Sequence, residues 1–251
     1  MSSGSLAGKV VVVSGGGGGI GSAICRACAA SGASVVATYR QGEARARELV
    51  GQLPGQGHLA IHAPVDDSDA LGRLAALVAD RYGTLDVLVN NAGVTRPVPH
   101  ADLDALDDEL IDWIFRINWR GAFASTRALR GLLAGRGGGL VVNISSVAGQ
   151  TGIGSNVAYC ASKAALDSLT RSLARALAPD IRVVSVAPGW VEGEYARRAD
   201  PAMLEEQRSR TPLGRIAAAE DVADAVLAVA TLLPFTTGSV IPVDGGRPLG
   251  T

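Results

Sequence analysis

Tyr159 and Lys163 stand four residues apart in the run YCASK, a spacing that on a helix sets both side chains on one face with their Cβ atoms about 5–6 Å apart. A phenol with a pKa of about 10 is too weak an acid to exchange protons at neutral pH, and a neighbouring ammonium lowers it by favouring the phenolate. The pair therefore has the makings of a proton donor and acceptor; its bland alternative is a half-buried tyrosine beside a surface lysine. Ser146, 13 residues upstream of Tyr159, follows the apolar run Leu140–Ser145 and adds a hydroxyl at a strand end, with Ser145 as the competing hydroxyl. A second chemical stretch is Val10–Gly21, VVVVSGGGGGIG, where four valines stop at Ser14 and six of the next seven residues are glycine. A buried-strand signature entering a glycine turn and then a helical pattern is the start of a dinucleotide-binding unit. A pyrophosphate can sit on a helix N-terminus only if no Cβ covers the backbone N–H groups and some residues can take φ > 0. A flexible glycine linker is the alternative, but it accounts for neither the valines before nor the Ala-rich helix after.

These groups need a scaffold, and the rest of the chain supplies its pattern. Continuous apolar runs recur at Ala33–Tyr39, Leu59–Ala63, Leu85–Asn90, Leu140–Ser145 and Ile181–Ala187, with a last short one at Val240–Val243. Unbroken rather than alternating apolarity is how strands buried on both faces read. Segments of helical length lie between them, such as Glu43–Leu53, Asp67–Tyr82 and Ala158–Leu177. Strand alternating with helix predicts an α/β doubly wound fold: a seven-stranded parallel sheet with right-handed crossovers and helices on both faces. No composition break divides the 251 residues, so a single domain over 1–251 is expected, with 1–8 flexible.

A net charge of −1 with acids and bases interspersed offers no basic field for nucleic acid or an anionic membrane. No apolar run approaches the roughly 18 residues needed to cross a bilayer, and the start MSSGSLAGK lacks an export pattern, so a cytoplasmic location is expected. Cys25 and Cys28 have CxxC spacing but no second pair, and they read as core packing; no metal site is expected. Asp104, Asp107, Asp108, Glu109 and Asp112 alternate with Leu106, Leu110 and Ile111 and read as the solvated face of a helix.

The second strand ends at Tyr39-Arg40, about 20 residues past the glycine turn, where a carboxylate would select an unphosphorylated ribose. No acid is there, and Arg40 offers a guanidinium where a 2′-phosphate would lie; a plain surface arginine is the alternative. After the fourth strand, Asn90 to Gly93 reads NNAG, two amides, a small residue and a glycine, which suits a place where backbone must approach a ligand.

Taken together, SGGGGGIG at 14–21, NNAG at 90–93, Asn118 in RINWRGAF, SSVAG at 145–149, Tyr159-xxx-Lys163, PGWV at 188–191 and VIPVDGG at 240–246 closely resemble the short-chain dehydrogenase/reductases. The likeness runs through nearly the whole chain in order and spacing. It implies a Rossmann-type domain, usually tetrameric, that binds a nicotinamide cofactor. By that resemblance Tyr159 is the general acid/base, Lys163 lowers its pKa and holds the nicotinamide ribose, Ser146 hydrogen-bonds the reacting oxygen, and Asn118 holds a water that relays protons to Lys163. The implied cofactor contacts run through Ser14, Gly15, Gly17, Gly18, Gly19, Ile20 and Gly21, then Tyr39 and Arg40, Val65, and Asn90, Asn91, Ala92 and Gly93. They end at Tyr159 and Lys163 and at Pro188, Gly189 and Val191. The chain departs from the family pattern at Ser14 (usually Thr), Pro64 (often an adenine-binding Asp), Gly18 (often a second basic residue in NADP-preferring relatives) and Gly193 (often Thr).

The reading that follows is an oxidoreductase of carbonyls or secondary alcohols with NADP(H) preferred and NAD(H) possible. The ending GRIAAAEDVA…TTGSVIPVDGG resembles the 3-oxoacyl-carrier-protein reductase branch most. Sugar, polyol or steroid alcohol dehydrogenases share the same framework, and fold does not settle substrate. A lyase or isomerase on this scaffold would discard the glycine loop or the lysine, and a cofactor-sensing binding protein would break the Asn-Ser-Tyr-Lys set; neither departure is present. The segment 192–212 is expected to be a substrate lid, with Trp190, Tyr195 and Met203 beside or within it. The apolar residues of Ala158–Leu177 predict self-association.

Overall fold

The computed structural model describes residues 5–135, 137–193 and 200–247. Seven strands, β1 (Val10–Val13), β2 (Ser34–Tyr39), β3 (Leu59–His62), β4 (Val87–Asn90), β5 (Gly139–Ile144), β6 (Ile181–Pro188) and β7 (Val240–Val243), form one sheet in the order β3-β2-β1-β4-β5-β6-β7. Every pairing is parallel. The valine run of β1 explains itself in this setting, because alternate residues serve opposite faces. Val11 and Val13 pack with Ile24, Leu49 and Val226 on one side, whereas Val10 and Val12 pack with Leu74, Val78 and Leu129 on the other.

Helices α1 (Gly19–Ala30), α2 (Glu43–Gln52), α3 (Ser68–Tyr82) and α4 (Asp108–Phe115) follow in order. A π-helical turn at Arg116–Arg120 joins α4 to α5 (Gly121–Leu133). The chain continues through α6 (Ala148–Thr151), α7 (Val157–Leu177), α8 (Pro201–Ser209) and α9 (Ala219–Thr231). Polar side chains cap the starts: Asp67 accepts from Ala70 N, Asp107 from Leu110 N and Asn156 from Tyr159 N, each satisfying an N–H that the helix leaves over. Asp107 also corrects the expected helical face over 104–112. The helix begins only at Asp108, and Leu103 to Leu106 form turns ahead of it.

Cys25 and Cys28 lie in the core, 0% and 2% exposed, and burial pushes the Cys28 thiol up to about 12, which leaves it unreactive. The expectation of flexibility over 1–8 does not hold at Leu6, which is buried and donates its N–H to Ser31 O at 2.8 Å. Residues 1–4 lie outside the described part, as does 194–199 of the expected lid, including Tyr195; the lid's described remainder contains α8, where Met203 is 46% exposed. Among the described residues no helix is long and apolar enough to cross a membrane.

Asp86 fastens the edge of the sheet away from the glycine turn. Its carboxylate, 8% exposed, accepts from Lys9 Nζ at 2.8 Å and Val10 N at 2.9 Å, while its backbone bonds Val10 O and Leu140 N. Asp86→Ala leaves Val10 N without its charged acceptor and is expected to lower stability by about 1.5–3 kcal/mol, little of it from the half-exposed lysine. A urea unfolding midpoint within error of the parent would contradict this.

Candidate active site

Strand order reverses between β1 and β4, and the crevice outside the carboxyl ends of such strands is where doubly wound sheets bind ligands. Here the two strands are laced together. Ser14 Oγ accepts from Asn91 N and Ala92 N, both at 3.0 Å, and Asn91 Nδ2 donates to Ser14 O at 2.9 Å and Gly15 O at 3.2 Å. Gly15 has φ +64, and a Cβ there would lie 3.2 Å from Asn91 Nδ2. Gly21 has no room either, since a Cβ would run into Gly15 O and lie 2.7 Å from Asn91 Nδ2.

The loop suits an anion. Gly18 caps α1 with no side-chain hydrogen bond, the first turn carries no acid, and a Cβ added at Gly19 would meet nothing within 4 Å. N–H groups at an uncapped helix start, facing open space and the positive end of the helix dipole, fit a pyrophosphate. Gly17 packs against Ala46 of α2 instead.

The residues expected to handle the proton gather along the same edge. Lys163 is 5% exposed, donates from Nζ to Ile144 O at 2.7 Å and lies 5.7 Å from the centre of the Tyr159 ring. Burial pushes its pKa down from 10.5 to about 8, with the nearby Asp167 pulling the other way. Gly149 allows the approach, because a Cβ there would come within 2.7 Å of the Lys163 and Ala164 backbone. Gly154, on the loop that leads into α7, faces Tyr159 Cδ1 at 3.4 Å from its would-be Cβ.

Ser145 and Ser146 separate cleanly. Ser145 is 3% exposed and donates to Lys163 O at 3.3 Å, a structural bond inside the fold. Ser146 is half-buried, accepts from Ala148 N and donates its hydroxyl to Pro188 O at 3.4 Å, a long bond. Asn118, in the π-helical turn, is 1% exposed. Its Oδ1 accepts from Val94 N at 2.8 Å, and Nδ2 donates to Val94 O and Ser162 Oγ, both at 3.0 Å. Both amide hydrogens are thus committed, and the side chain works as a strap; what it can offer a proton relay is a lone pair. Gly93 lies between, its would-be Cβ 3.5 Å from Asn118 Oδ1 and 3.6 Å from Lys163 Nζ.

The remaining sequence candidates are spread around this centre. Pro188 O accepts from Val147 N, Gly189 sits against Asp244, and Val191 bridges to Ala217. Val65 is buried, and its Cγ2 would lie 2.6 Å from a Cβ on Gly121, so it packs on α5. Tyr39 is buried with its ring 5.6 Å from that of His62, whereas Arg40 beside it is 53% exposed. Asn90 Nδ2 donates to Thr126 Oγ1 and Asn143 Oδ1, so its side chain ties β4 to β5 and α5 beneath the crevice.

Asp167 and Asn156 escape the sequence reading, and Gly149 and Ser162 enter it only as members of motifs, without a role. Asn156 had a readable signal, an amide three residues ahead of Tyr159 at a helix start; its Oδ1 takes Tyr159 N at 2.6 Å and its Nδ2 donates to Arg96 O at 2.7 Å.

Residues 15–247 match the family model described as enoyl-(acyl carrier protein) reductase. The granaticin polyketide synthase putative ketoacyl reductase 2 of Streptomyces violaceoruber is 38% identical over 242 residues, covering 96% of each chain. The 3-oxoacyl-[acyl-carrier-protein] reductase FabG of Thermotoga maritima is 35% identical over 246 residues, covering 96% of this chain and 98% of the other. A crystal structure from Brucella melitensis, titled short-chain dehydrogenase/reductase SDR:glucose/ribitol dehydrogenase, superposes with a TM-score of 0.91 at 29% identity, covering 98% and 99% of the two chains. With this sheet order, this glycine turn and these relatives, the chain belongs to the short-chain dehydrogenase/reductases, oxidoreductases that act on CH–OH and carbonyl groups with nicotinamide cofactors.

Proposed function

We propose that this enzyme reduces a carbonyl, a 3-oxoacyl thioester being the leading candidate, with NADPH preferred over NADH. The supporting observation is the buried Lys163 ammonium beside the Tyr159 ring, pinned to Ile144 O and backed by the Asn118 strap. The nicotinamide, when bound, supplies or accepts the hydride. Tyr159 Oη gives the proton to the reacting oxygen in reduction and takes it back in oxidation. Lys163 favours the phenolate that remains, and Ser146 Oγ, turned from its long bond to Pro188 O, donates a hydrogen bond to the reacting substrate oxygen. The glycine turn at 15–21 would hold the pyrophosphate, Asn90–Gly93 the ribose, Pro188–Val191 the carboxamide, and Arg40 the 2′-phosphate. Of the expected lid, the described helix α8 (Pro201–Ser209) is the part proposed to border the substrate. The ketoacyl and 3-oxoacyl names of two relatives favour the thioester, and the glucose/ribitol title favours a sugar alcohol as the second reading.

Self-association belongs to the same proposal. Leu166 and Leu169 of α7 are buried within the protomer, but Trp119 of the π-helical turn and Phe123 of α5 stack at 6.1 Å and pack, half-buried, on the same cluster with Leu173 of α7, an apolar surface suited to an isologous tetramer interface.

Tyr159→Phe removes the phenolic hydroxyl, and with it the exchangeable proton, while keeping the ring. It is expected to fold and bind cofactor while turnover with a 3-oxoacyl thioester falls by about 10²- to 10⁴-fold; activity within a few-fold of the parent would refute the assignment. The pH profile supplies an independent check. Because burial lowers the Lys163 pKa to about 8, the ammonium is present below that value, and turnover should decline as pH rises through it. Asp167→Asn removes a carboxylate that pulls the lysine upward, so this decline should move to lower pH. Arg40→Ala is expected to weaken NADPH binding by at least about tenfold, the value of a charge-assisted phosphate contact. NADH binding should barely change, and the parent's preference should shrink as salt is raised.

A further inference from the structure

Arg40 already has an anion in contact. Its Nη1 lies 3.5 Å from Asp66 Oδ2, and Nε of Arg116, from the π-helical turn on the other side, lies 3.8 Å from the same oxygen. Asp66 is much the more buried partner, 15% exposed against 53% and 45% for the two arginines. Its backbone is held as well, since Arg120 donates to Asp66 O at 3.4 Å. The pairing follows from the sheet. β2 and β3 end in register at Tyr39 and His62, and Ala63 N bonds Tyr39 O, so the chain leaving β2 and the chain leaving β3 emerge side by side.

Two guanidiniums from separate elements therefore converge on one point of negative charge, and the chain's own carboxylate occupies it. We infer that Asp66 is a specificity-determining residue: it competes with the 2′-phosphate for Arg40 and Arg116 and so limits the preference for the phosphorylated cofactor. This inference rests on Arg40 being the 2′-phosphate receptor. A phosphate monoester brings about −1.5 to −2 charges at neutral pH, and it meets both the repulsion of Asp66 and the competition for its cations. An unphosphorylated ribose meets neither, so the carboxylate acts on one cofactor and spares the other. Arg116 is by the same geometry the second basic residue that Gly18 does not supply, contributed from the turn ahead of α5 instead of from the glycine loop.

The test is direct binding of NADPH and NADH to the whole protein, followed by nucleotide fluorescence, for the parent, Asp66→Asn, Asp66→Asn with Arg116→Ala, and Arg40→Ala. Asp66→Asn is expected to tighten NADPH by about two- to fivefold, the range of a partly exposed ion pair, and to leave NADH unchanged. The gain should shrink in high salt, and adding Arg116→Ala should return most of it. Asp66→Ser, which also removes the charge, must behave the same way and serves if the amide does not fold. Equal changes for both cofactors, or weaker NADPH binding, would overturn the role of Asp66. Arg40→Ala separates the two readings. If it discriminates between cofactors while Asp66→Asn does not, only the Asp66 inference falls; if it affects both cofactors alike, the phosphate-receptor reading falls and takes this one with it.

Discussion

The hydroxyl of Ser14 is the small constraint on which the site depends. By accepting two backbone N–H groups from Asn91 and Ala92 it fixes where the chain leaving β4 goes, and with it where Gly93 and Val94 lie. Val94 in turn holds Asn118, Asn118 holds Ser162, and Ser162 donates to Tyr159 O at 2.8 Å. The glycine turn at one end and the tyrosine-lysine face at the other are thus joined by consecutive hydrogen bonds through a few residues. The Asn118–Ser162 link is fully buried and the others part-buried, and away from water a hydrogen bond is electrostatically stronger and an unpaired group more costly. A serine at position 14, in place of the family's usual threonine, keeps the one atom this arrangement uses.

Burying Lys163 would be unfavourable if nothing met it, since removing an ammonium from water opposes its charge. Ile144 O accepts from it directly, and the interior nearby is polar by design of sequence. Asn143 Nδ2 donates to Thr170 Oγ1, Thr170 meets Ser185 at 2.8 Å, and Asp167 lies on the same helix, 3% exposed. Burial raises the Asp167 carboxyl above its usual range, while Arg171 and Lys163 draw it down. Polar residues of three elements, β5, β6 and α7, therefore meet under the crevice where a purely apolar core would pack, and the region can carry charge that the rest of the core excludes.

Much of the fold was legible because its signals are local. Each apolar run became a strand with boundaries within two residues of those read, and the Ala158–Leu177 helix gained only Val157 at its start. The seven-stranded parallel sheet follows from those runs and their helical crossovers. Local pattern misled where a side chain overrode it: acids from Asp104 onward look helical, but the Asp107 carboxylate caps Leu110 N and starts the helix there. Leu6 looked like tail because nothing in its neighbours forecasts packing against the end of α1. At the site, residue types carried the tyrosine and lysine, whereas the partner of Lys163 is a backbone carbonyl, which leaves no mark on sequence. Strand alternation alone could not choose between Ser145 and Ser146, since both lie past β5; the family pattern assigns Ser146, and the burial of Ser145 against Lys163 O is in keeping with that. Arg40 and Asp66 are paired through the register of two strands, so only the folded sheet reveals that the arginine has a companion.

The π-helical turn at Arg116–Arg120 bears on how this chain can change length over evolution. A π-turn closes its hydrogen-bonded rings around one residue more than an α-helix does, so the stretch can be regarded as a helix that has absorbed an insertion. Excising one residue would restore an ordinary helix and improve its intrinsic regularity, yet each residue turns an α-helix by about 100°. Either Asn118 would swing away from Val94 and Ser162, or Gly121 would leave Val65 and present a bulkier neighbour to it. Single-residue deletions should accordingly be purged from this segment of the lineage even though the helix itself would welcome them.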